Sequence, residues 1–83
     1  MIAYRIVIMK PARKYIKRQS RPNRERLLRA IYQLPYTGDI KPVSGQENVF
    51  RLRVGNFRVI YSVFSTVLTV EVMDADTRGD VYK

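Results

Sequence analysis

The chain has 83 residues, of which 16 are Lys or Arg and 7 are Asp or Glu, so its formal net charge is +9. This length fits a single domain spanning residues 1–83 with one modest core, and a hydrophobic content of 46% is enough to form that core. Because the sequence has no Cys and no His, it excludes disulfides, thiolate or Ser-His catalysis, and metal sites built from those ligands. We expect neither a cofactor nor a bound metal.

Targeting signals are missing from the sequence. No apolar run approaches the roughly 20 residues that a membrane-spanning helix needs. The N-terminal residues also lack the basic and then apolar pattern of a signal peptide. We therefore expect a cytoplasmic protein without a membrane partner.

The first half of the chain carries one strand signal and two helix signals. Residues 3–9 are mostly apolar and include the β-branched Ile6, Val7 and Ile8, which predicts a strand. Pro11 suits the start of a helix over residues 11–20, whose apolar face holds Ala12, Tyr15, Ile16 and Gln19. A second helix is predicted over residues 22–34, with an apolar face of Leu27, Leu28, Ile31 and Leu34. The two helices should form a hairpin whose apolar sides pack on a sheet.

The second half is predicted to be a loop followed by strands. Two prolines and two glycines over residues 35–48 indicate a loop. From Val49 onward apolar residues alternate with polar ones, which predicts strands over residues 49–54, 57–63 and 67–73 and a short last strand near 80–82. The predicted fold is α+β, in the order β-α-α-β-β-β, with the helical hairpin on one face of a small antiparallel sheet.

A two-residue turn at Gly55 and Asn56 fixes the register of the central hairpin, with Arg53 opposite Arg58. One face then collects core residues, namely Phe50, Leu52, Val54, Phe57, Val59 and Tyr61, and the other collects Arg51, Arg53 and Arg58. A second turn at residues 65–66 is predicted to place Tyr61 opposite Val70, Val59 opposite Val72 and Ile60 opposite Glu71. We expect this core to include Leu27, Leu28 and Ile31 from the second helix.

The arginines on the polar face have no evident structural purpose. Two like charges directly opposite each other destabilise a sheet by about 0.2–1 kcal/mol. Arg guanidinium groups suit bidentate contact with phosphate, so the three arginines indicate an anion site, joined by Arg78 if the last strand returns alongside. The alternative is an exposed sheet face whose arginines pair with Glu71 or Glu47.

The positive charge is concentrated in the first 30 residues, which hold ten basic residues and one acid, whereas residues 31–83 hold six of each. Such a surface indicates a polyanionic partner: nucleic acid, an acidic protein or, less favoured, a membrane face. A solvated helix face is the plain alternative. The candidate binding residues are Lys10, Arg13, Lys14, Lys17, Arg18, Arg21 and Arg24.

Three stretches resemble the RelE-type toxins of the RelE/ParE superfamily, the small toxins of type II toxin–antitoxin pairs: Lys41–Gly45, Phe50–Tyr61 and Arg78–Lys83. The resemblance implies a small sheet packed on a helical hairpin. It also implies an endoribonuclease that enters the ribosomal A site and cuts messenger RNA there, inhibiting translation. A cognate small acidic antitoxin would wrap and silence it, and oligomers would form only through that antitoxin.

The resemblance places the family's catalytic positions on Arg51, Arg53, Arg58, Arg78 and Tyr82. Some relatives have Lys at the first two positions, and some carry a basic residue in place of Asp76. The implied reaction is metal-independent attack of a ribose 2′-OH on the adjacent phosphate, which gives a cyclic phosphate and a 5′-OH.

The residues do not identify which group accepts the proton in that reaction. Arg is a poor base because its pKa lies above about 12. The remaining acceptors are Tyr82, which can instead stack on a base, a carboxylate such as Glu71 or Asp76, and a group of ribosomal RNA. Two other functions also remain open: a ParE-like gyrase poison, and a non-catalytic basic module that binds RNA or an acidic protein.

Overall fold

The computed structural model describes residues 2–77, which form one five-stranded sheet and two helices. The elements are β1 (Arg5–Ile8), α1 (Lys10–Lys17), α2 (Arg21–Ile31), β2 (Asp39–Pro42), β3 (Val49–Val54), β4 (Phe57–Phe64) and β5 (Thr69–Thr77). The strand order is β1-β5-β4-β3-β2. The predicted α+β class is confirmed, although the sheet is mixed because β1 runs parallel to β5. The predicted strand near residues 80–82 lies outside the described residues.

Both helices begin where the sequence predicted and end a few residues early. Pro11 lies in the first turn of α1, and the hydroxyl of Ser20 caps α2 by accepting a hydrogen bond from the backbone N–H of Asn23 at 3.4 Å. α2 ends at Ile31, three residues before Leu34. Since Leu34 precedes Pro35, the helical conformation is disfavoured there.

The predicted core is confirmed. Leu27 and Ile31 of α2 are fully buried against Leu52, Val59 and Tyr61 of the sheet. Fully buried too are Val70 and Val72, whereas Leu28, Phe50 and Val54 are partly buried at the margin of the same cluster. The helices therefore cover one face of the sheet and leave the opposite face available for other functions.

Residues 39–42 form an edge strand, so the predicted loop over residues 35–48 is wrong at this point. Ile40 pairs with Leu52 of β3, and Pro42 ends the strand at the sheet edge, where its missing N–H is tolerated. Gly38 precedes the strand with φ of 133°, and a Cβ there would lie 2.7 Å from Cδ1 of Leu52. A glycine is needed at this close approach.

The central hairpin has the predicted register, with Arg53 opposite Arg58. The second hairpin differs by two residues: its turn covers residues 65–68, and Tyr61 lies opposite Val72 instead of Val70. Leu68 adopts φ of 49° and its carbonyl accepts the N–H of Arg5, which ties the longer turn to β1. A shift of two residues keeps every side chain on its predicted face.

A β-bulge at Met73 changes the faces beyond that point. Tyr61 pairs with Val72 but Ile60 pairs with Asp74, so Met73 is an additional residue in β5. Without it, Asp74 and Asp76 would point into the core. With it, Ala75 is buried in the core and both carboxylates lie on the opposite face of the sheet.

Candidate active site

The sheet face away from the helices carries most of the predicted catalytic residues, and we call it the arginine face. Two rows of paired residues cross it: Asp39, Arg53, Arg58 and Asp76 in the first, and Lys41, Arg51, Ile60 and Asp74 in the second. Three of the five predicted catalytic residues, Arg51, Arg53 and Arg58, are thus brought together. Arg78 and Tyr82 lie outside the described residues.

Arg58 is held by an ion pair with Asp76. Nε of Arg58 donates to Oδ1 at 3.2 Å, and Nη2 donates to Oδ2 at 2.7 Å. The hydrogen bonds and charge of Asp76 raise the pKa of Arg58, with a smaller contribution from Asp74, so the guanidinium stays protonated. The partner is therefore Asp76, and not the Glu71 or Glu47 that the sequence suggested.

Arg51 and Arg53 differ in their surroundings. Arg53 is exposed and lies opposite Asp39, and it forms no ion pair within residues 2–77. The side chain of Arg51 is partly buried, and its Nε and Nη2 atoms are inaccessible to solvent without a hydrogen-bond acceptor in the described part of the chain. A desolvated cation of this kind favours an anion as partner.

The candidate proton acceptors are spread unevenly over the sheet. Glu71 pairs with Ser62, four residues along β4 from Arg58, which corresponds to about 13 Å at the rise of a strand. Asp74 and Asp76 lie much closer to the arginines. Tyr61 is buried in the core, and this burial raises its pKa to about 12. The phenol therefore stays neutral and is not a candidate proton acceptor.

The sequence did not indicate two positions of cations, one on the arginine face and one at the tip of the central hairpin. Lys41 lies beside Arg51 because β2 belongs to the sheet, and its strand signal was hidden by the neighbouring prolines and glycines. Arg26 of α2 reaches the tip of the central hairpin, where a Cβ on Gly55 would lie 1.7 Å from its Nη2. No local pattern indicates that contact, because it joins elements distant in sequence.

The seven predicted binding residues lie on and between the helices, and six of them are exposed; Arg24 is partly buried. Arg21 pairs with Glu25 at 3.1 Å. Arg24 donates to the carbonyl of Gln19 at 3.0 Å, and Arg13 donates to that of Ile8 at 3.4 Å. The others, Lys10, Lys14, Lys17 and Arg18, form no ion pair within residues 2–77.

Residues 2–77 contain neither a cluster of metal ligands nor a membrane-spanning helix. Over residues 2–77, no group of three carboxylates is arranged to hold a metal ion. Neither of the two helices described is long and apolar enough to cross a membrane.

No protein-family model matches the sequence, and no curated protein is significantly similar to it. Solved structures, however, match almost the whole chain. A chain of the archaeal RelE–RelB complex from Pyrococcus horikoshii is 26% identical, with a TM-score of 0.76 over 94% of this chain and 98% of the other. This chain has the RelE fold.

Two further structures extend this result. A chain of the RelBE2 toxin–antitoxin complex from Mycobacterium tuberculosis is 19% identical, with a TM-score of 0.77 over 93% of this chain and 100% of the other. The isolated RelE toxin of E. coli is 21% identical, with a TM-score of 0.74 over 96% and 92%. The resemblance to RelE-type toxins is confirmed, and the arginine face lies on the side of the sheet away from the helices of this RelE fold.

Proposed function

We propose that residues 1–83 form a single toxin domain of a toxin–antitoxin pair, and that it is a ribosome-dependent endoribonuclease. It would cleave messenger RNA in the ribosomal A site and so inhibit translation in the cytoplasm. The matches to RelE toxins and RelE–RelB complexes support a toxin. The observation that carries the nuclease proposal is the arginine face, where Arg51, Arg53 and Arg58 converge although neither the core nor the strand pairing needs them.

The proposed reaction is an in-line displacement at phosphorus. The ribose 2′-oxygen forms a bond to the adjacent phosphorus, the bond to the 5′-oxygen breaks, and the products are a cyclic phosphate and a 5′-OH. A proton leaves the 2′-OH and another reaches the leaving oxygen. The arginines stabilise the negative charge of the transition state, and one well-placed Arg contributes about 10³–10⁵ in rate to phosphoryl transfer.

Each arginine has a distinct proposed role in that reaction. Arg58 contacts the scissile phosphate, and Arg51, whose Nε and Nη2 atoms are shielded from solvent, stabilises the phosphate charge from the neighbouring row of the sheet. Arg53 is exposed and contacts a neighbouring phosphate. Arg78 and Tyr82 complete the site, with Tyr82 stacking on a base or taking the proton. None of these steps needs a metal ion.

The proposed partners are the ribosome with its messenger RNA and a cognate small acidic antitoxin. Structural neighbours are toxin–antitoxin complexes, which supports the antitoxin. An apolar cleft of about 140 Å³ between β1, α1 and α2 is bordered by Arg13, Lys17 and Arg24, which suits an acidic and partly apolar segment. Higher oligomers would form only through this antitoxin.

Arg58→Ala tests the function directly. We expect it to abolish growth arrest and cleavage of ribosome-bound messenger RNA, measured by mapping RNA ends after induction. Arg58→Lys should leave partial activity because it keeps the charge and loses the bidentate fork. The matched control is Arg5→Ala. Arg5 is the first residue of the edge strand β1 and lies on the same side of the sheet as Arg58. The variant loses the same charge and should remain toxic.

If Arg58→Ala stays folded and fully toxic, the arginine face is not the active site. Inhibition of gyrase supercoiling by the purified chain would then favour the gyrase-poison function. Growth arrest with neither cleavage nor gyrase inhibition would favour a non-catalytic basic module.

A further inference from the structure

Asp76 engages one edge of the Arg58 guanidinium and leaves another edge open. A guanidinium has five N–H donors. Asp76 uses two of them, one on Nε and one on Nη2. Two of the remaining three N–H groups, one on Nη1 and one on Nη2, point in parallel away from the side chain. This Nη1–Nη2 edge can bind a phosphate with two hydrogen bonds. Phosphate binding at Arg58 therefore does not require Asp76 to leave.

The contact depends on the bulge at Met73. If β5 continued in the register of its first half, Ala75 would stand opposite Arg58. The additional residue puts Asp76 there instead, with the side chain on the arginine face. The chain thus departs from regular pairing at the point that brings a carboxylate to Arg58.

Stability does not account for this pair. The side chains of Arg58 and Asp76 are 40% and 47% exposed, and ion pairs exposed to this degree contribute little to folding. A carboxylate beside a phosphate site also weakens anion binding by charge repulsion. What the pair does provide is a fixed orientation for a long side chain that would otherwise sample many rotamers.

We propose that Asp76 is a positioning residue: it aligns Arg58 so that the open Nη1–Nη2 edge faces the scissile phosphate. This inference rests on the proposed nuclease function. It also assigns Asp76 a role other than general base, because both of its oxygens accept hydrogen bonds from Arg58.

The orientation can be tested without any RNA cleavage. In the wild-type chain, NMR relaxation of the Arg58 Nε–H group should show an ordered side chain, and titration with inorganic phosphate should shift that resonance. In Asp76→Asn the same group should become mobile. Asp39→Asn is the matched control, because it removes one charge from the other end of the same row of residues and leaves Arg58 ordered. Equal mobility of Arg58 in wild type and Asp76→Asn would overturn the proposal.

The kinetic test uses single-turnover cleavage of ribosome-bound messenger RNA. Asp76→Asn should lower the cleavage rate about 10–100-fold, without weaker ribosome binding, and Asp76→Glu should restore part of it. In an Arg58→Lys background, which keeps partial activity but lacks the guanidinium edge that Asp76 holds, Asp76→Asn should have a much smaller effect, since a positioning residue acts only through its partner. The pH profile of the remaining activity should be unchanged.

Two outcomes contradict positioning. Faster cleavage by Asp76→Asn than by Asp39→Asn would mean that Asp76 competes with phosphate. A loss in the Arg58→Lys background as large as in the wild-type background, with a changed pH profile, would make Asp76 a general base. If the wild-type chain does not cleave RNA at all, the proposed function fails, and the NMR comparison alone then decides whether Asp76 orients Arg58.

Discussion

At the scale of single residues, Arg58 is subject to two opposing electrostatic effects. Arg53 lies directly opposite Arg58 across the hairpin, and this repulsion destabilises the fold by about 0.2–1 kcal/mol. The exposed ion pair with Asp76 stabilises it by about 0–1 kcal/mol. Arg58→Ala should therefore change the free energy of unfolding by less than about 1 kcal/mol, as measured by urea denaturation. A loss above about 2 kcal/mol would show that Arg58 has a structural role, and inactivity of the variant would not then report on chemistry.

Tyr61 makes the stability of the fold sensitive to alkaline pH. Burial raises its pKa from 10.0 to about 12, so the unfolded chain loses this proton at lower pH than the folded chain. This pKa difference stabilises the fold fully below about pH 10, and the stabilisation is lost as the pH rises toward 12. About half of it, roughly 1 kcal/mol, is lost by pH 11. Tyr61→Phe should remove this component, so urea denaturation near pH 9 and near pH 11 should show a smaller decrease for the variant. An equal decrease would mean that Tyr61 ionises normally.

At the scale of elements, β3 determines whether the arginine face is presented correctly. Leu52 is 1% exposed and packs closely against Gly38. Leu52→Ala should cost about 2–5 kcal/mol, a large part of the stability of a domain of this size, and thermal denaturation would measure it. Arg53→Ala, at the next position and on the opposite face, is the control and should leave stability nearly unchanged. Similar effects from both would contradict the assignment of the two faces.

The central hairpin could be predicted from sequence because its signals are local. A two-residue turn fixes the register, and strict alternation then separates the arginines from the core. The bulge in β5 had a weaker signal: the core positions change from even numbers at Val70 and Val72 to an odd number at Ala75. That change of phase indicates an additional residue, but it identifies Asp76 as the partner of Arg58 only once the longer turn at residues 65–68 is known.

The edge strand β2 and the position of Arg26 could not be predicted for a different reason. Residues 39–42 pair only because β3 offers a free edge, and their own composition favours a loop. Arg26 contacts the hairpin tip through tertiary packing. The sequence therefore predicted the arginines that share one hairpin. It did not indicate that β2 brings Lys41 to the same face, or that Arg26 contacts the hairpin tip.

The helical hairpin should bind ribosomes mainly through its charge. The segment over residues 10–31 has nine basic residues and one acid, and each phosphate neutralised adds to the salt dependence of binding. Replacing Lys14, Lys17 and Arg18 with Gln should weaken co-sedimentation with ribosomes and reduce its salt dependence, with the fold intact. Arg21→Gln is the control with a smaller expected effect, because Glu25 already neutralises Arg21. Binding that is unaffected by salt would contradict this prediction.

At the scale of the whole molecule, cations occur on both sides of the sheet. The helices carry one set, and the arginine face carries the other on the side that the helices leave open. With extents of 40 × 29 × 22 Å, a flat anionic surface can contact only one set at a time. A partner that engages both must surround the molecule, which fits a ribosomal cavity and a wrapping antitoxin equally well.

If both partners surround the same molecule, they must compete for it. We expect the chain alone to bind ribosomes, and an excess of a cognate small acidic antitoxin to abolish both co-sedimentation and cleavage. Light scattering should show a single chain when the toxin is free and a larger species only with that protein. The Lys14, Lys17 and Arg18 to Gln variant should weaken both interactions, because both use the basic helices. A stable complex of toxin, antitoxin and ribosome, or an antitoxin that binds without preventing cleavage, would show that the two partners use different surfaces.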